Sequence, residues 1–226
     1  MHIGLIGGIG PAATVIYYQR IVESFSAASQ PLHLTIGHTS AQLLTRHIAS
    51  GQADVQAAEF NRVTGQLAAA GADTVVITSM GGHFCSKEFS AISPLPIIDG
   101  PQAVADYLKR EGIQRVGILG TRVVMETALY GALSELDCVV PLGKELTEIN
   151  DDYIATAVAG AATLGQRARL LAAGQHLVDE QGAQAVLLGG TDLNIVYDGA
   201  PLDFLVIDSA DVHVKAIIDV ALAQLE

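Results

Sequence analysis

Three side chains set in glycine-rich stretches of this sequence are equipped to move protons. Ser79 and His83 frame Ser79-Met80-Gly81-Gly82-His83, and Asp192 closes Gly189-Gly190-Thr191-Asp192. A neutral imidazole at His83 can take a proton or orient the Ser79 hydroxyl, which is a poor base unless a neighbour activates it. Asp192 is a second acid–base candidate. Both have plainer alternatives: His83 as the cap of its own loop, Asp192 as the N-cap of a following helix. Hydroxyls at Thr14, Ser79, Thr121 and Thr191 can donate to a bound oxyanion, or else cap helices. Gly8, Gly10, Gly81, Gly82 and Gly190 leave backbone N–H groups open to a ligand. Gly81 and Gly82 in particular read as a flexible, open loop whose amides form an anion nest. Together these residue types suit holding a small carboxylate and shifting a proton on it.

Four loops carry these groups, at 7–14, 79–83, 120–124 and 189–192, and elements of two kinds must position them. Residues 2–6, 32–36, 74–78, 96–98 and 137–140 read as strands, several of them short apolar runs of the sort buried in parallel sheets. Residues 12–27, with Pro11 in the first turn, and 55–70, stopped by Gly71, read as helices. A last helix is expected at 210–225. Strands alternating with helices imply an α/β fold. The pattern then restarts. Arg115-Val116-Gly117-Ile118-Leu119-Gly120-Thr121 echoes His2-Ile3-Gly4-Leu5-Ile6-Gly7-Gly8. The stretch at 182–190 echoes that at 71–79, and Leu205-Val206-Ile207-Asp208 echoes Pro96-Ile97-Ile98-Asp99. Three ordered echoes at nearly one offset, about 110 residues, predict two similar lobes. The expected architecture is two such lobes with parallel sheets, related by a pseudo-twofold, with the ligand cleft between them beyond the strands' carboxyl ends. The first lobe is expected at 1–99 plus 209–226 and the second at 100–208.

Composition excludes several classes. Among 226 residues, 24 Asp and Glu oppose 12 Lys and Arg, a formal charge of −12. A field of that sign repels phosphate backbones, so no nucleic-acid partner is expected. No leader-like start and no long apolar run is present, so no membrane partner is expected and a cytoplasmic setting follows. Two cysteines, Cys85 and Cys138, are too few for a disulfide scaffold, and the seven histidines show no ligand spacing with them, so no metal is expected. Gly8 and Gly10 begin a dinucleotide-like fingerprint, with Ala13 third. No acidic residue follows the second strand, where Ile36-Gly37-His38-Thr39-Ser40 stands, so a nicotinamide site is disfavoured.

The sequence from Gly4 to Thr14, the stretch Val116-Gly117-Ile118-Leu119-Gly120-Thr121-Arg122 with Met125 and Tyr130, and Leu188-Gly189-Gly190-Thr191-Asp192 and Val206-Ile207-Asp208-Ser209 with His213 resemble the aspartate/glutamate racemase superfamily, its aspartate racemase branch above all. The resemblance runs in order over nearly the whole chain. It implies a two-lobed, cofactor-independent isomerase, typically a homodimer, acting on a small carboxylate or amino acid. One thiolate removes the α-proton and an opposite thiol returns one, the two cysteines standing at equivalent strand ends. Here the first family motif, Cys-Asn-Thr-Ala-His, is matched by Ser79, Met80, Gly81, Gly82 and His83. The second, Gly-Cys-Thr-Glu, is matched by Gly189, Gly190, Thr191 and Asp192. Both thiols are absent, and Val124 stands where a threonine is usual. The two-thiol racemisation therefore cannot run through these positions. Proton transfer at the α-carbon would fall to Ser79, His83 and Asp192, with Gly8, Gly10, Thr14, Gly81, Gly82, Thr121, Gly190 and Thr191 holding the substrate and Asp208 and His213 in support. The alternatives are a decarboxylase or lyase on a related acid, or a non-catalytic carboxylate sensor.

Overall fold

A computed structural model describes residues 1–223, which divide into two compact units. One comprises residues 1–100 together with the chain from His213 onward; the other is Pro101–Val212. The first unit is built from β1 (His2–Gly7), α1 (Pro11–Ala27), β2 (His33–His38), α2 (Ala41–Ala49), α3 (Ala53–Ala69), β3 (Thr74–Ile77), a 3-10 turn (Met80–Cys85) and α4 (Ser86–Ile92). Then α5 (Gly100–Arg110) leads into the second unit: β4 (Arg115–Leu119), α6 (Arg122–Glu126), β5 (Asp137–Val139), α7 (Gly143–Ala159), α8 (Leu164–Asp179), β6 (Ala185–Leu188), a 3-10 turn (Thr191–Leu193), α9 (Asn194–Tyr197) and β7 (Val206–Asp208). The last helix, α10 (Ser209–Ala223), begins in the second unit and continues in the first; the expected helical positions 224–225 lie outside the described residues.

Each unit has one parallel sheet, β2-β1-β3 in the first and β5-β4-β6-β7 in the second, as the α/β reading requires. The central strands are apolar on both faces because helices cover both faces. In β1 every residue from Ile3 on is buried, and β3 and β6 are buried throughout. The pairs Ile6–Ile77 and Leu119–Leu188 bring the carboxyl ends of neighbouring strands level, so the following loops emerge side by side.

Two expectations change. The second strand runs His33–His38 rather than 32–36: it is a half-exposed edge strand, and its pairing with β1 continues to Gly7–His38. The strand expected at 96–98 is one bridge, Val75–Ile97. Pro94 and Pro96 have no N–H to give a ladder. Only the Pro96 carbonyl, accepting from Val75 N–H at 3.0 Å, and Ile98 N–H, donating to the Val75 carbonyl at 3.1 Å, remain to pair.

The loop after β1 depends on Gly8. Its φ is +84°, in the left-handed region, and a Cβ there would stand 2.3 Å from the Thr39 carbonyl oxygen and 2.4 Å from the His38 ring. Gly8→Ala therefore combines backbone strain with a clash against main chain. It should cost about 1–3 kcal/mol from strain alone, and thermal unfolding should show a Tm lower by several degrees. An unchanged Tm would mean that this loop relaxes freely.

Candidate active site

The ends of β3 and β6 are built alike. Ser79 and Gly190, both in extended conformation, are the N-caps of the two 3-10 turns. The Ser79 carbonyl accepts from Gly82 N–H at 3.1 Å, and the Gly190 carbonyl accepts from Leu193 N–H at 3.1 Å. The same turn thus follows a buried parallel strand in each unit, and the two positions that resemblance pairs have the same local backbone.

In the first unit most polar groups of the predicted site are already spent on the fold. The Thr14 hydroxyl accepts from Gly8 N–H and donates to the Gly10 carbonyl, both at 3.1 Å, and lies 2.9 Å from the Thr78 hydroxyl. Thr78 in turn donates to the Ile6 carbonyl at 3.0 Å. Thr14 is therefore the clasp of the glycine loop. Gly82 is buried, and its amide is bonded within the turn. A Cβ there would stand 2.6 Å from Ile77, so its need for glycine is steric. The open, flexible nest expected at Gly81 and Gly82 is instead a closed 3-10 turn.

His83 is fully enclosed. Its Nδ1–H donates to the Ser79 carbonyl at 2.9 Å, and its Nε2 accepts from Gly100 N–H at 3.2 Å. Burial holds its pKa below the ordinary imidazole value, against the pull of Asp99. While both bonds stand, neither ring nitrogen is open to a ligand. The ring lies 5.8 Å, edge to face, from His213. His213 Nε2–H donates to the Ile98 carbonyl and its Nδ1 accepts from the Tyr17 hydroxyl, each at 2.9 Å. Two neutral imidazoles thus fasten β3's exit, the 98–100 segment, α1 and α10. Among the described residues the Ser79 hydroxyl has no hydrogen-bond partner, and it is only partly buried.

In the second unit the predicted site residue Asp192 is titratable and hydrogen-bonded. Asp192 is partly buried, and burial raises its pKa above the ordinary carboxyl value. Hydrogen bonds from the Tyr153 hydroxyl, its own N–H and the Thr191 hydroxyl pull the other way. The Tyr153 hydroxyl donates to Asp192 Oδ2 across a long 3.5 Å. Thr121 caps α6, accepting from Val124 N–H at 3.3 Å. Tyr153 also explains residue 190: a Cβ built at Gly190 would stand 2.4–2.5 Å from the phenol carbons and oxygen. The two cysteines lie away from the strand-end positions 79 and 190, Cys85 at the end of the first 3-10 turn and Cys138 in β5. Burial pushes the Cys85 thiol up to about 12, and its S–H points to the Gly82 carbonyl at 3.5 Å. Burial also raises Cys138, which lies in β5. Among the described residues no cluster of three or more metal-ligating side chains is present, and no helix is long and apolar enough to cross a membrane.

A family model described as Asp/Glu/Hydantoin racemase matches residues 6–217. The chain belongs to this family. A candidate Asp/Glu racemase from Yersinia pestis of known structure is 26% identical with a TM-score of 0.87, over 98% of this chain and 100% of that one. An aspartate racemase homologue from Pyrococcus horikoshii is 22% identical with a TM-score of 0.80, over 98% and 99%. An aspartate racemase from Picrophilus torridus is 19% identical with a TM-score of 0.75, over 98% and 94%. The last two likenesses are likenesses of fold. Against this family background, the group that sequence reasoning missed is Tyr153. It comes from α7, 39 positions before Asp192, with no motif around it. The one available signal was indirect, a glycine where the family pattern has a side chain.

Two outcomes follow. Gly190→Cys should lower the Tm in the native background but cost much less in a Tyr153→Ala background, because the smaller residue vacates the space. Equal cost in both would show that the two side chains do not compete. Separately, the depressed pKa of His213, pushed down to about 3 by burial and by neighbouring His83 against Asp99 and Ile98, links stability to pH. The unfolded chain takes up the proton first, so this stability is full above the ordinary value of 6.5 and is lost as pH falls toward 3. Urea unfolding between pH 7 and 4.5 should show a slope shallower by about 1 kcal/mol per pH unit in His213→Gln than in the native protein. Identical slopes would contradict a neutral buried His213.

Proposed function

We propose that this protein is an enzyme that moves a proton at the α-carbon of a small carboxylic or amino acid, with Asp192 as its acid–base group. The observation that carries this reading is a half-buried carboxyl with raised proton affinity, set immediately beyond β6 where the family pattern places its second catalytic motif. A carboxyl whose proton affinity is raised above the ordinary value holds a proton more readily, which favours its delivery to carbon. Ser79 contributes an unengaged hydroxyl at the matching place after β3. His83 acts through that loop, fixing the Ser79 carbonyl rather than exchanging protons with substrate. Thr121, Thr191 and the amides of the glycine loops remain the groups proposed to hold the carboxylate. The reading includes a homodimer and no cofactor, both resting on family resemblance, and a cytoplasmic setting.

A second reading has its own support. Symmetric racemisation needs a proton carrier for each face of the α-carbon. Here Gly190 has no side chain, and the Ser79 hydroxyl has no hydrogen-bond partner among the described residues. One carboxyl suffices for decarboxylation or elimination, where a single proton is delivered or removed. The two readings share Asp192 and differ in product.

Incubation with acidic amino acids, hydroxy acids and malonic acids in deuterium oxide, followed by proton NMR and polarimetry, separates them. Exchange with inversion gives the racemase, and loss of carbon dioxide or formation of an alkene gives the lyase. In either case Asp192→Asn should slow turnover by about 100-fold or more. No reaction with any acid, together with a Tm raised by a dicarboxylate, would replace both by a carboxylate sensor.

A further inference from the structure

The phenol of Tyr153 stands where a side chain at residue 190 would begin, and this is a specific arrangement rather than loose filling. Its Cζ, Cε2 and Oη would each lie within 2.4–2.5 Å of a Cβ at Gly190. The hydroxyl is aimed along the turn at Asp192 Oδ2, 3.5 Å away. Tyr153 is only 9% exposed, while the carboxyl it faces is partly open. The helix that delivers it is fixed on both flanks. Asp152, adjacent on α7, forms a paired hydrogen-bonded ion pair with Arg169 of α8, both bonds at 2.7 Å. Asn150, one turn earlier, accepts from Arg122 N–H at the start of α6 at 2.8 Å. The backbone that delivers the ring is thereby fixed, and a shift of the phenol needs only a rotation of its side chain.

We propose that Tyr153 is a positioning residue that takes over the space of the missing side chain at 190, orients the Asp192 carboxyl and sets the pH at which that carboxyl exchanges its proton. The proposal rests on the reading of Asp192 as the acid–base group, but its first test does not need activity. Burial pushes the phenol's pKa upward, with Asp192 and Tyr130 adding to it, so Tyr153 stays protonated and acts only as a donor. The groups bearing on Asp192 are therefore Tyr153 from α7, Thr191 and its own N–H in the turn, with Tyr130, after α6, acting on the phenol. Tyr130 is the third of three consecutive residues with left-handed φ, Ala128, Leu129 and Tyr130. Each such non-glycine residue costs about 1 kcal/mol or more and persists only where the surroundings enforce it. Strain thus lies next to this pair, as it tends to beside working groups.

The deciding variant is Tyr153→Phe, which keeps the ring in the Gly190 space and removes the donor. With one of the opposing hydrogen bonds gone, burial acts less resisted, and the Asp192 carboxyl should titrate higher by roughly half a unit to one unit. Carbon-13 NMR of the side-chain carboxyls, with Asp192 assigned through Asp192→Asn, reads this in the resting protein. Gly190→Ala, which pushes the ring off its place, should move the same resonance in the same direction and serves if the first variant folds poorly. A merely space-filling tyrosine predicts an unchanged Asp192 midpoint in a folded Tyr153→Phe protein, and that result would overturn the proposal. In the deuterium-exchange assay, the pH profile of Tyr153→Phe should move by the same amount as the NMR midpoint. If the native protein exchanges no acid at all, the functional reading fails while the titration still decides the pairing of Tyr153 with Asp192.

Discussion

Two groups cannot fill one volume, and at the carboxyl end of β6 the phenol of Tyr153 holds the volume that residue 190 would otherwise use. The surroundings are organised around that exclusion. α7 must be fixed in rotation and height for the ring to reach the turn, and the Asp152–Arg169 ion pair and the Asn150 contact with Arg122 N–H fix it. The turn must approach closely enough for its carboxyl to meet the hydroxyl, which the lack of a side chain at Gly190 permits. Asp192 is then partly buried, which raises its proton affinity, and it keeps a donor, which limits the rise. Shape and proton affinity here have one origin.

The first unit resolves the same kind of strand end in the opposite way. After β3 the polar groups are consumed by the chain itself: His83 by two backbone partners, Gly82 by its turn, Thr14 by the glycine loop. Buried polar groups must be satisfied, and satisfying them with backbone makes the loop rigid and chemically quiet. The Ser79 hydroxyl is the exception. The two strand ends thus carry unlike groups, an unengaged neutral hydroxyl in one unit and a hydrogen-bonded, titratable carboxyl in the other. That inequality contrasts with the two equal thiols of the family pattern.

The readable parts of the fold were those written locally. Short apolar runs gave β1 and β3, and their echoes gave β4 and β6; Gly71 and Pro11 marked helix ends; and the loops carrying Ser79, Thr121, Thr191 and Asp192 lie immediately beyond strands. The edge strand β2 was displaced because its limits come from pairing with β1, not from its own hydropathy. The 96–98 segment kept strand-like residues but lacked donors. Hydrogen-bond partners were not readable. Nothing local to His83 says that Gly100 N–H lies against its Nε2, and nothing in Asn150-Asp151-Asp152-Tyr153 says that the ring ends beside residue 190. Both facts are long-range, and the second is announced only by an omission.

One further feature concerns the order in which the chain is made. The first unit is discontinuous: it needs His213 from α10, whose ring bonds Tyr17 and the Ile98 carbonyl. The second unit is a single continuous run, Pro101–Val212. During synthesis the earliest residues therefore wait for the latest, and the middle of the chain is complete first. Until α10 emerges, the Tyr17 hydroxyl and the Ile98 carbonyl lack the ring that bonds both. Truncation near the carboxyl end would leave the later-numbered unit whole and the amino-terminal one unfinished, the reverse of what position along the chain suggests.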